Sequence, residues 1–303
     1  MKGKPIFLFF ILTALLSAGL TDTNSQTSER IYGVTIDAVN NLNSIVSTLA
    51  RHSRRMTTRI VFDEWQPATG YATAVNRIDS VSDIMGELLD SYYVKDYSVK
   101  QYKDRADEYI PYLGNKVDIW EIGNEVNGEW LGPRDSVIAK IYYAFSRAKK
   151  LNYKTAMTLY YNHDCWSNPR NEMFRWINET LYMKMRYGLD YVLVSYYEDD
   201  CNNYQPNWQE VFDSLRVLFP NSKLGIGECG TRFADRKALY INRYYTMNIT
   251  TPNYIGGYFW WYYRKDCVPW NTKPLWQVLE NAITGSKAEQ DGDWNTKQFD
   301  ITK

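Results

Sequence analysis

Short apolar runs punctuate the chain at near-regular intervals, and between them the apolar positions fall three and four residues apart. The runs at 31–36, 58–62, 81–88, 117–122, 155–159, 191–195, 223–227 and 255–260 read as β-strands. The clearest helix is expected over 97–113, where Tyr102, Ala106, Tyr109, Ile110 and Leu113 share one face and Gly114-Asn115 supplies a stop. Stretches 137–151, 172–187, 208–219 and 236–247 repeat that spacing, with Gly188 and Pro220-Asn221 as punctuation. Between the second and third strands only the patch 72–78 is available, so the helix within 64–80 must be short or irregular. No Pro/Gly/Ser-rich linker interrupts the alternation. Repeated βα units of this kind predict a (β/α)8 barrel in one domain, 31–285, close to the ~250 residues typical of that fold.

The two ends differ from this pattern. Met1-Lys2-Gly3-Lys4, the apolar run 6–16 and Ser17-Ala18-Gly19 read as a secretory signal over 1–19, too short to span a bilayer comfortably. A polar segment follows over 20–30. Residues 286–303 are polar and aperiodic and read as a tail. The expectation is a secreted or periplasmic protein with no membrane anchor in the mature chain, acting as a monomer.

Composition narrows the partners. Basic and acidic residues number 35 each, which leaves no field for nucleic acid or an anionic membrane. Aromatic residues carry the unusual signal: 11 Trp and 26 Tyr exceed what a core of this size needs, and many flank the expected strand ends. Flat aromatic faces of this sort suit sugar rings, which makes an oligo- or polysaccharide the expected partner. Cys165, Cys201, Cys229 and Cys267 fall after the fifth to eighth strands. In an exported chain they favour disulfides, with Cys165–Cys201 and Cys229–Cys267 the pairing suggested by adjacent loops, although four cysteines permit three connectivities. A four-thiolate metal site is the competing reading, and no C-x-x-C spacing supports it.

Two glutamates close apolar runs. Asp118-Ile119-Trp120-Glu121-Ile122-Gly123-Asn124-Glu125 ends at the fourth strand, and Leu224-Gly225-Ile226-Gly227-Glu228 at the seventh. In a (β/α)8 barrel, groups at the carboxyl ends of strands meet on one face, where chemistry occurs. A pair of carboxyl groups there can divide the work of glycoside cleavage, provided their surroundings hold one protonated and the other ionised.

Asn124-Glu125 after strand 4 with Glu228 after strand 7 resembles the clan of retaining glycoside hydrolases that contains cellulases, mannanases, galactanases and xylosidases. The resemblance implies Glu125 as acid/base, Glu228 as nucleophile and Asn124 as donor to the sugar 2-hydroxyl, with no cofactor and no metal. It further implies Arg59 on strand 2 beside the nucleophile, a strand-6 tyrosine touching it, and a strand-8 tryptophan under the sugar. Alternation places Tyr197 on the same face as Ser195, so Tyr197 is preferred over Tyr196. Of Trp260 and Trp261, Trp260 is favoured for the floor. Ser195 departs from the His-x-Tyr that many cellulase-like members carry.

Other positions follow from the strand map. Glu121 shares the face of Glu125, deeper in the barrel, and needs a buried partner, for which Arg59 is the candidate. Asp37, Asp63, Glu64, Glu87 and Asp90 follow strands 1 to 3 and are candidates for sugar hydroxyls at outer positions. Trp65, Trp130, Trp166 and His163 are candidate sugar contacts. Two alternatives stand beside the hydrolase: a carbohydrate-binding barrel without turnover, and a metal-dependent hydrolase, which the presence of only 2 histidines disfavours. Sugar identity, and endo against exo action, are not legible in the loops.

Overall fold

The computed structural model describes residues 30–285. Eight parallel strands, β1 (Ile31–Ile36), β2 (Met56–Val61), β3 (Ser82–Glu87), β4 (Ile119–Glu121), β5 (Lys154–Tyr160), β6 (Tyr191–Tyr196), β7 (Lys223–Cys229) and β8 (Tyr254–Trp260), close into a barrel in chain order. The fold is the (β/α)8 barrel that the alternation predicts. The leader at 1–19, nearly all of the polar segment and the tail at 286–303 lie outside the described residues.

The helices are α1 (Leu42–Leu49), α2 (Ala72–Asp79), α3 (Val99–Leu113), α4 (Arg134–Lys150), α5 (Met173–Thr180), α6 (Met183–Gly188), α7 (Trp208–Leu218), α8 (Lys237–Tyr245), α9 (Tyr263–Cys267) and α10 (Pro274–Thr284). Among the described residues none is long and apolar enough to cross a membrane. Helix α3 starts on a capping box, in which the Ser98 side chain accepts from the Gln101 amide and the Gln101 side chain from the Ser98 amide. The short helix expected between strands 2 and 3 is α2, entered through a 3-10 turn at Ala68–Tyr71. The single helix expected over 172–187 is two. Leu181 and Tyr182 take extended backbone angles between α5 and α6, which buries Leu181 in the core and leaves Tyr182 in solvent.

Two apolar layers hold the barrel together. The larger lies between strands and helices. The smaller fills the barrel interior with Met85, Ile119, Ala156, Tyr191, Leu193, Ile255 and Phe259, the side chains that the period-2 alternation turns inward. Toward the carboxyl ends the inward positions become polar: Arg59, Glu87, Glu121, Thr158, Ser195 and Glu228, all buried.

Two irregularities aim the side chains at the carboxyl end of the barrel. Between β6 and β7 the register passes from Val194↔Ile226 to Ser195↔Glu228, so Gly227 is an extra residue in β7. A bulge of this kind re-aims the next side chain. Ile226 packs outward and yet Glu228 points into the barrel. In β8, Gly256, Gly257, Tyr258 and Phe259 all have positive φ, and the register with β1 and β7 slips there.

The cysteines only partly follow expectation. Cys165 and Cys201 form a disulfide that joins the loops after β5 and β6. Cys229 and Cys267 are both free. The expected second bridge rested on loop positions, whereas these residues are core. Cys229 is the last residue of β7 and its thiol lies 2.8 Å from the Tyr258 carbonyl oxygen, while Cys267 ends α9, fully buried.

Candidate active site

Strand β4 is only three residues long, but its pairing with β5 persists beyond it. The Ile122 amide donates to the Ala156 carbonyl at 2.9 Å, Thr158 to Gly123 at 3.0 Å and Val126 to Thr158 at 3.1 Å. These bonds clamp Asn124 and Glu125 at the barrel mouth. Glu125 sits at φ 46, a left-handed conformation that costs a non-glycine residue about 1–3 kcal/mol and persists only where the surroundings enforce it.

Glu125 and Glu228 line one cleft of about 440 Å³ together with Asn124, Tyr197, Trp130, Trp261 and others. Each is nearly buried, at 8% and 5% exposure. Their surroundings differ in kind. Glu125 receives two neutral hydroxyls, Ser195 Oγ at 2.6 Å and Ser91 Oγ at 2.8 Å. Burial and the neighbouring charge of Glu228 push its carboxyl up to about 8, against a smaller opposing pull from the two serines. Glu228 instead meets an Arg59 Nη2 ion pair, the Tyr197 hydroxyl at 2.5 Å and Asn124 Nδ2 at 3.3 Å. Three donors, one of them charged, converge on the Glu228 carboxyl group.

Arg59 explains much of this asymmetry. It is fully buried at the barrel axis, with Glu87 3.4 Å and Glu121 3.6 Å from its guanidinium nitrogens and Glu228 closer still. Burial acts to lower its pKa, but the three carboxylates together hold it above the usual arginine value, so it remains charged. Glu121 also accepts from Thr158 Oγ1. Burial drives the pKa values of Glu87 and Glu121 upward, opposed mainly by Arg59. Tyr197 is likewise pushed well above its ordinary value, by burial first and by Glu228 second, and so stays a hydroxyl donor.

The expected positions are partly brought together. Asn124, Arg59, Tyr197 and Trp130 converge on the two glutamates. The Trp130 indole donates to Ser91 Oγ at 3.0 Å, which fixes the serine that in turn holds Glu125. The preference for Trp260 is corrected. Its side chain is 0% exposed and its indole donates to Asp266 at 3.0 Å, on the outer side of the barrel. The irregular turn of β8 puts Phe259 and Trp261 inside instead, and Trp261 lines the cleft with Arg59 5.4 Å from its ring centre. Asp37 is tied to Arg264 at 2.5 and 3.0 Å and lines a neighbouring depression with Asp63, Glu64 and Asp90. Trp65 stands in a third depression, away from the glutamates. His163 stacks on Tyr204 at 4.2 Å, and Trp166 donates to the His163 carbonyl at 2.7 Å, so both shape the disulfide-bonded loop.

Ser91, Tyr160, Asp200 and Tyr262 also line the cleft and were not singled out from the sequence. Tyr160 was accessible to period-2 reasoning, being two residues beyond the inward Thr158. Ser91 carries no such signal, since it lies in an irregular 3-10 turn after β3. Among the described residues no group of three or more His, Cys, Asp or Glu side chains is arranged to hold a metal ion.

No protein-family profile matches the sequence. No curated protein matches it either. Among solved structures the chain is similar to Saccharomyces cerevisiae Gas2p in complex with laminaritriose and laminaritetraose, with a TM-score of 0.54 at 12% identity over 87% of this chain and 66% of that one. Gas2p in complex with laminaripentaose gives 0.55 at 12% identity, over 86% and 65%. An apo structure of a Gas2p mutant gives 0.54 at 11%, over 86% and 61%. The chain thus spans about two thirds or less of the length of these structures, and at such identities the likeness is one of fold.

Proposed function

We propose that the protein is a retaining β-glycosidase, with Glu228 as nucleophile and Glu125 as acid/base. The observation that carries this reading is the unlike surroundings of two carboxyl groups in one cleft: Glu125 meets only the neutral hydroxyls of Ser91 and Ser195 and is pushed up to about 8 by burial and by Glu228, while Glu228 is met by Arg59, Tyr197 and Asn124. In the first step the Glu228 carboxylate attacks the anomeric carbon as Glu125 gives its proton to the departing glycosidic oxygen. In the second, Glu125 takes a proton from water, the water oxygen attacks the same carbon, and the Glu228 ester bond breaks. In this reading Asn124, which donates to Glu228, also donates to the sugar 2-hydroxyl. Trp261 and Trp130 wall the sugar, and no cofactor is needed.

The Gas2p structures hold laminari-oligosaccharides, short β-1,3-linked glucose chains. Such chains are the substrate class we propose to try first. The disulfide between Cys165 and Cys201 supports export, in keeping with the leader read at 1–19.

Proton NMR of the first-formed sugar, taken before mutarotation, tests the mechanism. Retained β configuration is expected, and an inverted product removes Glu125 and Glu228 as the working pair. Binding of oligosaccharide with no turnover of any aryl β-glycoside would leave the carbohydrate-binding barrel in its place.

A further inference from the structure

Trp65 is a bulky residue held at φ 59, where its backbone is strained, and its side chain is 56% exposed. The strain is enforced locally. Its amide donates to the Tyr97 hydroxyl at 2.6 Å, and its indole lies flat on the Tyr97 ring, with centroids 4.0 Å apart and planes within 8°. Tyr97 is itself buried, and Arg105 stands 5.9 Å from its ring centre. One face of the indole is therefore fixed and the other is turned to solvent. The exposed indole adds nothing to the buried core, and backbone strain of this kind clusters at active sites, ligand clamps and switch regions.

The position of this platform gives it a ligand. The depression of about 390 Å³ containing Asp37 shares Asp90 and Trp261 with the catalytic cleft. It also shares Gln66 with the depression of about 290 Å³ under Trp65 and Tyr97. Through these shared residues the three depressions follow one another from Glu228, past Trp261, to Trp65. No lysine or arginine lines the first two. In the third, Arg105 spends its guanidinium on the carbonyls of Leu88, Phe62, Asp63 and Gln66. Asp63, Glu64 and Asp90 line the middle one. An acidic chain would meet uncompensated carboxylates there, whereas hydroxyl groups would find acceptors.

We propose that the Trp65–Tyr97 stack is a distal platform for a neutral, linear oligosaccharide that leaves the catalytic cleft past Trp261 and lays a remote sugar on the open indole face. This rests on the glycosidase reading and deepens it: the enzyme is built for chains, and Trp65 sets its preference for length.

Calorimetric titration of laminaribiose and laminarihexaose into Glu228→Gln, with and without Trp65→Ala, tests the platform independently of turnover. Trp65→Ala should weaken the hexaose about tenfold and leave the biose unchanged, the biose also reporting that the variant is folded. Equal weakening of both, no weakening, or no binding of either sugar overturns the proposal. An oligoglucuronide of the same length should bind about tenfold more weakly than the hexaose. Equal binding overturns the claim of a neutral chain. Wild-type turnover of an aryl β-glucoside is the separate measure of the glycosidase reading: its absence sinks that reading, while the titrations still decide the platform.

Discussion

Ser195 Oγ lies 2.6 Å from Glu125 Oε1, so the residue that breaks the His-x-Tyr pattern of strand 6 reaches past β5 to the glutamate after strand 4. A hydroxyl there stabilises the carboxylate without adding charge. It moderates, but does not cancel, the upward push of burial and of Glu228.

The pH profile should show this. Glu125 must be protonated to act as an acid, so kcat/KM is expected to fall as pH rises through about 8. Ser195→Ala removes a bond that favours the anion. The alkaline limb should therefore move upward, by roughly one pH unit for a charged hydrogen bond. A limb that stays in place in the variant would mean that another group sets it.

The same raised pKa has a cost in stability. Between the ordinary carboxyl value of the unfolded chain and about 8, native Glu125 keeps a proton that the unfolded chain has lost, so stability declines as pH rises through this window. Glu125→Gln cannot ionise. Its melting-temperature advantage over the wild type should grow from pH 5 to pH 8, at roughly 2–4 °C for each kcal/mol relieved. Parallel melting curves against pH would contradict the assignment of that proton.

Trp260 and Trp261 should separate cleanly. Trp260→Ala empties a fully buried site and is expected to cost about 3–5 kcal/mol in chemical denaturation. Trp261→Ala should leave the denaturation midpoint nearly unchanged and lower kcat/KM by about tenfold or more, through the lost wall of the cleft. The reverse pattern would restore Trp260 to the sugar.

Thiol titration of the unfolded, unreduced protein should find two reactive cysteines, Cys229 and Cys267. Cys165→Ser with Cys201→Ser opens a loop of sequence separation 36, which on chain-entropy grounds destabilises by about 4 kcal/mol. Four free thiols in the exported protein would remove the bridge from the native state.

The barrel was readable because its two periodicities are enforced along the whole chain by burial, and every expected strand overlaps an observed one. The site was less evenly readable. Arg59 and Asn124 follow from the resemblance to the retaining clan, and Tyr197 from that resemblance with alternation, and the structure brings all three to Glu228. Alternation fails at β8, where four consecutive positive φ angles shift the inward phase and exchange Trp260 for Trp261. It says nothing of Ser91, which a loop delivers. The cysteines misled because Cys229 ends the strand itself, and an outward side chain there joins the core rather than a loop. The break between α5 and α6 is invisible to a helical count, since it needs only two residues in extended conformation.

The paired glycines of β8 invert the usual map of which positions an engineer may touch. A methyl group on Gly257 would collide with the Ile226 carbonyl, at φ 91, and one on Gly256 would come within 2.9 Å of the Ile31 carbonyl oxygen at φ 85. Neither residue has a side chain to contribute to the cleft, yet together they decide which tryptophan enters it. A saturation library would therefore record some of its sharpest losses of function at two positions that no sugar could touch, while exposed Trp65, in the last of the three depressions, accepted replacement and changed only the length of chain preferred.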